Sequence, residues 1–280
     1  MKDQIIKAGV IGWPIDHSLS PRLHGYWLNR FNIKGSYEAI GVDEDSLQLF
    51  LEKLPINGYS GLNVTIPHKE SVMQHLHSIS SQARRIGAVN TIIVNNKGQL
   101  AGSNTDGFGF IENLKQGNSE FNATKGPAVV LGAGGAARAI VVALIDKGAP
   151  SIKLINRTRA RAEELALDIG GPIQVLDWQD RNDILEDASL LVNTTTLGMN
   201  GKPPLDISLD GLAAEALVTD IVYAPLETGL LKSARARGNG AVDGLGMLLH
   251  QARPGFAAWF GVEPEVTDDL RNYVLAGIGG

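Results

Sequence analysis

The 280-residue sequence predicts an α/β protein built in two lobes. Three observations carry that prediction. Runs of β-branched residues alternate with segments of helical spacing, the pattern of parallel strands joined by right-handed crossovers. A glycine loop stands between one such strand and one such helix near the middle of the chain. The length favours one large or two medium domains, at roughly 100–200 residues each, with core enough to need no staples.

Taken in order, residues 7–11 read as a first strand. Ser20 followed by Pro21 reads as an N-cap with proline at the first helical position, which opens a helix over 21–31. A strand over 36–40 follows. Asp43 then precedes Leu47, Phe50, Leu51 and Leu54 at helical spacing, so the pattern predicts a capped helix over 43–54. Residues 61–65 read as the next strand. Segments 88–94 and 99–104 flank Asn95-Asn96-Lys97-Gly98, a hairpin turn.

A second series begins after the polar stretch 115–126. Strands are expected at 128–131, 152–156, 174–176, 190–193 and 217–222, with helices over 136–147 and 159–169. Gly148 and Gly170 stand where helix C-termini favour glycine. The tail from Leu245 reads as helix. Asp106-Gly107 and Asp243-Gly244 read as the crossings between lobes, which gives 1–106 plus 247–280 as one lobe with a mostly parallel sheet and 107–246 as the other.

Composition narrows the function. Hydrophobic residues make up 44%, charged residues 20% and aromatic residues 6%, which excludes a disordered, collagenous or coiled-coil chain. The net charge of −5 and the lack of a basic stripe speak against nucleic acid. Cysteine is absent, so there is no thiolate nucleophile, disulfide or cysteine metal site. Residues 1–12 hold no signal-like apolar run, and residues 139–145, the longest such run, fall far short of the ~18 a membrane span suggests. A soluble cytoplasmic α/β protein is the expectation.

Val129-Val130-Leu131-Gly132-Ala133-Gly134-Gly135-Ala136-Ala137 is a strand running into G-x-G-x-x-A and then a helix. The first glycine permits the tight turn, the second admits a pyrophosphate, and the small third position lets helix and strand pack closely. This context points to a doubly wound, Rossmann-like nucleotide lobe. The next strand ends in Asn156-Arg157-Thr158, with no carboxylate to receive a ribose 2′-hydroxyl. Arg157 and Arg161 instead offer fork-shaped donors for a 2′-phosphate. NADP is the expected cofactor.

The first lobe is rich in short polar groups at strand ends. Ser18 and Ser20 stand beside a helix N-terminus, a seat for a small carboxylate. Asn63 and Thr65 share a strand face by period two. Lys69 is expected to start a helix, a poor place for a cation against the helix dipole, and such violations concentrate at sites. Asn90 and the run Asn104-Thr105-Asp106 add amides, hydroxyls and a carboxylate suited to a polyhydroxylated ligand. His75 and His77, two apart, share no helix face, and no other histidine pairs with carboxylates at ligand spacing, so no metal is expected. No G-x-S-x-G elbow marks a serine nucleophile.

Together these residues resemble shikimate dehydrogenase, the NADP-dependent family of aromatic biosynthesis that reduces 3-dehydroshikimate. The resemblance spans nearly the whole chain. It rests on Gly12-x-Pro14-Ile15-x-His17-Ser18-x-Ser20-Pro21-x-x-His24, Asn63-Val64-Thr65-x-Pro67-x-Lys69 and Gly87-Ala88-Val89-Asn90-Thr91. Further along come Asn104-Thr105-Asp106-Gly107, Gly132-Ala133-Gly134-Gly135-Ala136, Asn156-Arg157-Thr158 and Asp243-Gly244-Leu245-Gly246-Met247.

The resemblance implies that Ser18 and Ser20 hold the substrate carboxylate. It gives the ring hydroxyls to Thr65, Asn90, Asp106 and Gln251, and has Tyr223 close over the ring; Asn63 is grouped with them. Lys69 would be the acid/base, with Asp106 as its partner. Gly132, Ala133, Gly134, Gly135, Ala136, Asn156, Arg157, Thr158, Arg161, Ile221 and Gly244 would line the NADP site. A carboxylate beside Lys69 favours its charged form, which suits proton donation during ketone reduction. Gly25 and Ala224 depart from the usual pattern, the second near the nicotinamide.

A small-molecule substrate and a monomer or homodimer are the expected partners. Three alternatives remain: an NAD-using quinate/shikimate dehydrogenase, a methylenetetrahydrofolate dehydrogenase, and a non-catalytic ligand-sensing relative. The arginines speak against the first, the Ser18/Ser20 pair and the asparagines against the second, and Lys69 with Asp106 against the third.

Overall fold

The computed structural model describes residues 5–277 and divides into two compact units, Met1–Thr105 with Gln251–Gly280, and Asp106–His250. Asp106 and residues 247–250 thus cluster with the second unit, a few residues away from the expected crossings.

The first unit runs β1 (Ile6–Gly12), α1 (Ser20–Arg30), β2 (Gly35–Gly41), α2 (Leu47–Lys53), β3 (Tyr59–Val64), β4 (Ser78–Ile79), α3 (Ser81–Ile86), β5 (Thr91–Val94) and β6 (Leu100–Ser103). These six strands form one sheet in the order β2-β1-β3-β5-β6-β4. β1 pairs in parallel with β2 and β3, whereas β5 runs antiparallel to both β3 and β6. The β5–β6 hairpin closes where expected: Asn95 Oδ1 accepts from the N–H groups of Lys97 and Gln99, at 2.9 and 3.0 Å.

The helix expected over 43–54 starts one turn late, at Leu47. Asp43 does cap, but its Oδ1 accepts from Ser46 N–H at 2.8 Å and so closes a separate turn first. Leu47, Leu51 and Leu54 then pack with Ile11, Leu62 and Val64 as one core cluster. The N-cap reading of Ser20 also needs correction. Leu19 occupies the cap position without a side-chain bond, and Ser20 is the first helical residue, its N–H donating to Ser18 Oγ at 3.3 Å.

The sheet's other face is covered by α1 and the late part of α8 (Leu245–Phe260), and α9 (Asp268–Leu275) packs on α1. Trp27, Phe256, Trp259 and Phe260 interlock there, and Trp259 Nε1 donates to Ile92 O at 3.0 Å. His24 lies fully buried among them, stacked on Tyr37 at 3.8 Å between ring centroids. Burial holds its pKa down to about 3 from 6.5. The unfolded imidazole therefore carries the extra proton across that interval, so this contribution to stability is present above pH 6.5 and lost as pH falls towards 3. The full loss is of order 5 kcal/mol. His24→Phe should flatten this acid dependence in urea melts taken between about pH 7 and pH 4. An unchanged slope would refute it.

The second unit runs α4 (Asp106–Gly117), β7 (Ala128–Leu131), α5 (Gly135–Asp146), β8 (Ile152–Ile155), α6 (Arg159–Ile169), β9 (Ile173–Leu176), β10 (Leu190–Asn193), β11 (Leu217–Asp220), α7 (Gly229–Ala236) and β12 (Gly240–Val242), then the start of α8. Its strands are all parallel, in the order β12-β11-β10-β7-β8-β9. That is the doubly wound order, which reverses between β7 and β10 and leaves a crevice outside their carboxyl ends. β7 is buried on every residue, as a strand covered on both faces must be.

α4 occupies ground read from sequence as a crossing and a polar stretch. Its glycines lower helix propensity and hid it. They serve close packing instead: a Cβ on Gly107 would stand 2.9 Å from Ala139 O and 3.0 Å from the Ala143 Cβ of α5. Among the described residues no helix is long and apolar enough to cross a membrane.

Candidate active site

In the first unit the polar residues gather at the carboxyl ends of β1 and β3 and at the start of β5. Tyr37 OH donates to Asn63 Oδ1 at 2.6 Å, and Asn63 Nδ2 donates to Asn90 O at 3.2 Å and Thr91 Oγ1 at 3.3 Å. Asn90 Nδ2 in turn donates to Thr105 Oγ1 at 3.0 Å and Gln251 Oε1 at 3.2 Å. Asn90 Oδ1 accepts from Thr105 N–H and from the Thr91 hydroxyl, at 2.9 and 2.8 Å. Burial pushes the Tyr37 phenol up, against a hydrogen bond with Ser20 that works the other way.

A buried network of this kind fixes rotamers, because each group left alone would be costly. Asn63, Asn90, Thr105 and Gln251 are thus held as a set, and Ser20 is tied to it through Tyr37. Asn63 is fully engaged and only 6% exposed, a brace for its neighbours. Thr105 was noted in the sequence only as one hydroxyl of the run Asn104-Thr105-Asp106, with no partner assigned. Tyr37 was missed, because it looked like an ordinary strand aromatic.

Thr65 lies just past β3, half-buried, with its N–H donating to Ile11 O at 2.9 Å. Lys69 does not start an α-helix. It sits in a turn ahead of a short 3₁₀ stretch, Ser71–His75, so the dipole argument falls away. The turn is braced on both sides of the lysine: Trp13 N–H donates to Ile66 O at 3.1 Å and Val89 N–H to Lys69 O at 2.7 Å.

In the second unit the glycine loop leaves β7 at the reversal point. Gly132 has φ of +110°, and a Cβ there would overlap the Thr194 hydroxyl beyond β10, so the position demands glycine on two grounds. Gly134 is the N-cap of α5 and brings no side chain, which leaves the first-turn N–H groups of a 12-residue helix open to an anion. Ala133, Gly135 and Ala136 are half-buried around it.

Beyond β8, Asn156 Nδ2 donates to Thr158 O at 2.8 Å and shapes the turn. Arg159 is taken up by Glu163 and Asp177, both at 2.8 Å. Arg157 and Arg161 are exposed and, among the described residues, make no ion pair.

Ile221 and Tyr223 follow the end of β11, and Gly244 packs against Ile221. Ile221 N–H donates to Asn193 O at 3.1 Å, and a Cβ on Gly244 would overlap the Ile221 carbonyl. Burial raises the Tyr223 phenol. Beneath them lies Asp220, fully buried and unforeseen. It accepts from Val222 N–H at 3.0 Å, Asn193 Nδ2 at 3.0 Å and the Thr228 hydroxyl at 2.8 Å. Burial raises its pKa, and these three donors oppose the rise. An acid closing the otherwise uncharged strand Leu217-Val218-Thr219 was the available signal. Asp106, the first residue of α4, is buried in this unit.

Comparison with known proteins identifies the family. The profile for the shikimate dehydrogenase substrate binding domain matches residues 10–92, and that for shikimate / quinate 5-dehydrogenase matches residues 115–198. A relative from Paramagnetospirillum magneticum, named shikimate dehydrogenase (NADP(+)), is 56% identical over 269 residues, covering 96% of this chain and 98% of its own. The structure from Thermus thermophilus with NADP(H) and shikimate superposes with a TM-score of 0.85 at 35% identity, covering 98% of each chain. The quinate dehydrogenase of Corynebacterium glutamicum with NAD gives 0.90 at 32%, covering 97% of this chain and 99% of that one. With similarity of this extent across both units, the chain belongs to the shikimate dehydrogenase family.

Proposed function

We propose that the chain catalyses the reversible, NADPH-dependent reduction of 3-dehydroshikimate to shikimate. The full-length similarity to relatives named shikimate dehydrogenase (NADP(+)) carries this reading. The residues fit the cofactor. The loop at Gly132 and the open N-terminus of α5 suit a pyrophosphate, and two exposed arginines without an ion pair among the described residues suit a 2′-phosphate.

NADPH, when bound, supplies the hydride. The chain's own residues do the rest. Ser18 and Ser20 hold the substrate carboxylate, and Thr65, Asn90 and Gln251 orient the ring through its hydroxyls. Lys69 Nζ gives a proton to the ring oxygen as charge develops there, and takes it back in the oxidative direction. Asp106 is its partner, Tyr223 closes over the ring, and Ile221 and Gly244 line the nicotinamide side.

Initial rates of shikimate oxidation, followed by absorbance, test the assignment with NADP and NAD, each repeated with quinate. Turnover confined to shikimate with NADP is expected. Comparable rates with NAD or quinate would move the chain towards the Corynebacterium relative. Binding without turnover would leave a ligand sensor.

A further inference from the structure

His68, beside the lysine read above as the acid/base, is fully buried, and its Nε2 lies 2.6 Å from Val42 O, just past β2. A carbonyl only accepts, so Nε2 must carry the proton. Nδ1 is then left buried with no hydrogen-bond partner among the described residues. A phenylalanine would fill the same space without that unpaired nitrogen, so packing alone does not account for an imidazole here.

The bond has a consequence for the neighbouring lysine. The turn holding Lys69 is tied by backbone bonds to β1 through Thr65 and Ile66, and to the segment entering β5 through Val89. His68 supplies a tie to the end of β2 that is made by a side chain and lies inside the core. His68 O also accepts from Val72 N–H at 2.9 Å, which joins the turn to the 3₁₀ stretch beyond it. The residue is thus fixed at ring and backbone, one peptide away from Lys69.

We infer that His68 is a positioning residue for Lys69, locked as the Nε2–H tautomer by Val42 O and setting the path of the turn that aims the lysine. The inference rests on Lys69 being the acid/base. A displacement of about 1 Å in a catalytic group can cost up to about a hundredfold in rate, so a tie this close is well placed to act on kcat.

Three variants test it together. His68→Phe keeps the ring and removes the donor. His68→Gln returns an amide N–H at about the same reach. Lys69→Gln reports on the lysine independently. His68→Phe should lower kcat about tenfold or more per folded enzyme, with KM for shikimate within about threefold. The primary deuterium isotope effect on kcat should rise as hydride and proton transfer become limiting. His68→Gln should recover most of the loss. In the native protein, ¹⁵N spectra of the neutral imidazole should show the proton on Nε2 and Nδ1 bare.

Wild-type kcat in folded His68→Phe, equal defects in the two His68 variants, or an Nδ1–H tautomer would each overturn the inference. An unimpaired Lys69→Gln would instead sink the acid/base reading beneath it. An impaired Lys69→Gln beside an unimpaired His68→Phe would overturn the positioning role alone.

Discussion

Lys69→Ala should lower kcat for shikimate oxidation by about 10²-fold or more, the usual worth of a positioned general acid or base. KM for shikimate should move far less. The set proposed to bind the hydroxyls is held by bonds running from Tyr37 through Asn63 and Asn90 to Gln251. The loss therefore belongs to the transition state. Steady-state rates with saturating NADP read both quantities, and near wild-type kcat would remove Lys69 from the mechanism.

The second large effect concerns the cofactor. Arg157→Ala removes a charged donor from the end of β8, and a hydrogen bond to a charged group is worth about 1.5–3 kcal/mol, or roughly 10- to 150-fold in affinity. KM for NADPH should rise by that order while use of NADH barely changes. Arg159→Ala is the control, because its guanidinium is already held by Glu163 and Asp177. Equal effects of Arg157→Ala on both cofactors would show that Arg157 never touches the 2′-phosphate.

Local patterns were legible in the sequence wherever periodicity or turn chemistry decided the outcome. The parallel strands around β7, the hairpin at Asn95–Gly98 and the helix after the glycine loop are of this kind. Helix starts were less legible. Asp43 caps a turn and not α2, and Ser20 leaves the cap to Leu19, because a short polar side chain has several backbone donors within reach. Lys69, expected to start a helix, lies instead in a turn ahead of a 3₁₀ stretch.

What could not be read were bonds between distant residues. Nothing near Asp220 in sequence announces Asn193, and nothing near His68 announces Val42. Tyr37 reads as strand until Asn63 and Ser20 are found against it. The supports of a site are set by topology, and its exposed donors by local sequence, so the donors are seen first.

The division of the chain sets an order of events in synthesis. The second unit is one uninterrupted stretch and has all its partners once His250 is made. The first cannot close until later. Trp27 waits for Phe256, Ile92 waits for Trp259, and Arg22 waits for Tyr273. A nascent chain thus carries an early sheet with its apolar face uncovered while the later-made unit folds ahead of it, the reverse of the usual N-to-C sequence. By folding, the second unit replaces a long flexible loop with a compact body, and so shortens the entropic reach over which the first must close. The aromatic cluster on α8 then acts as a latch on the first unit, set only after the whole of the second has been made.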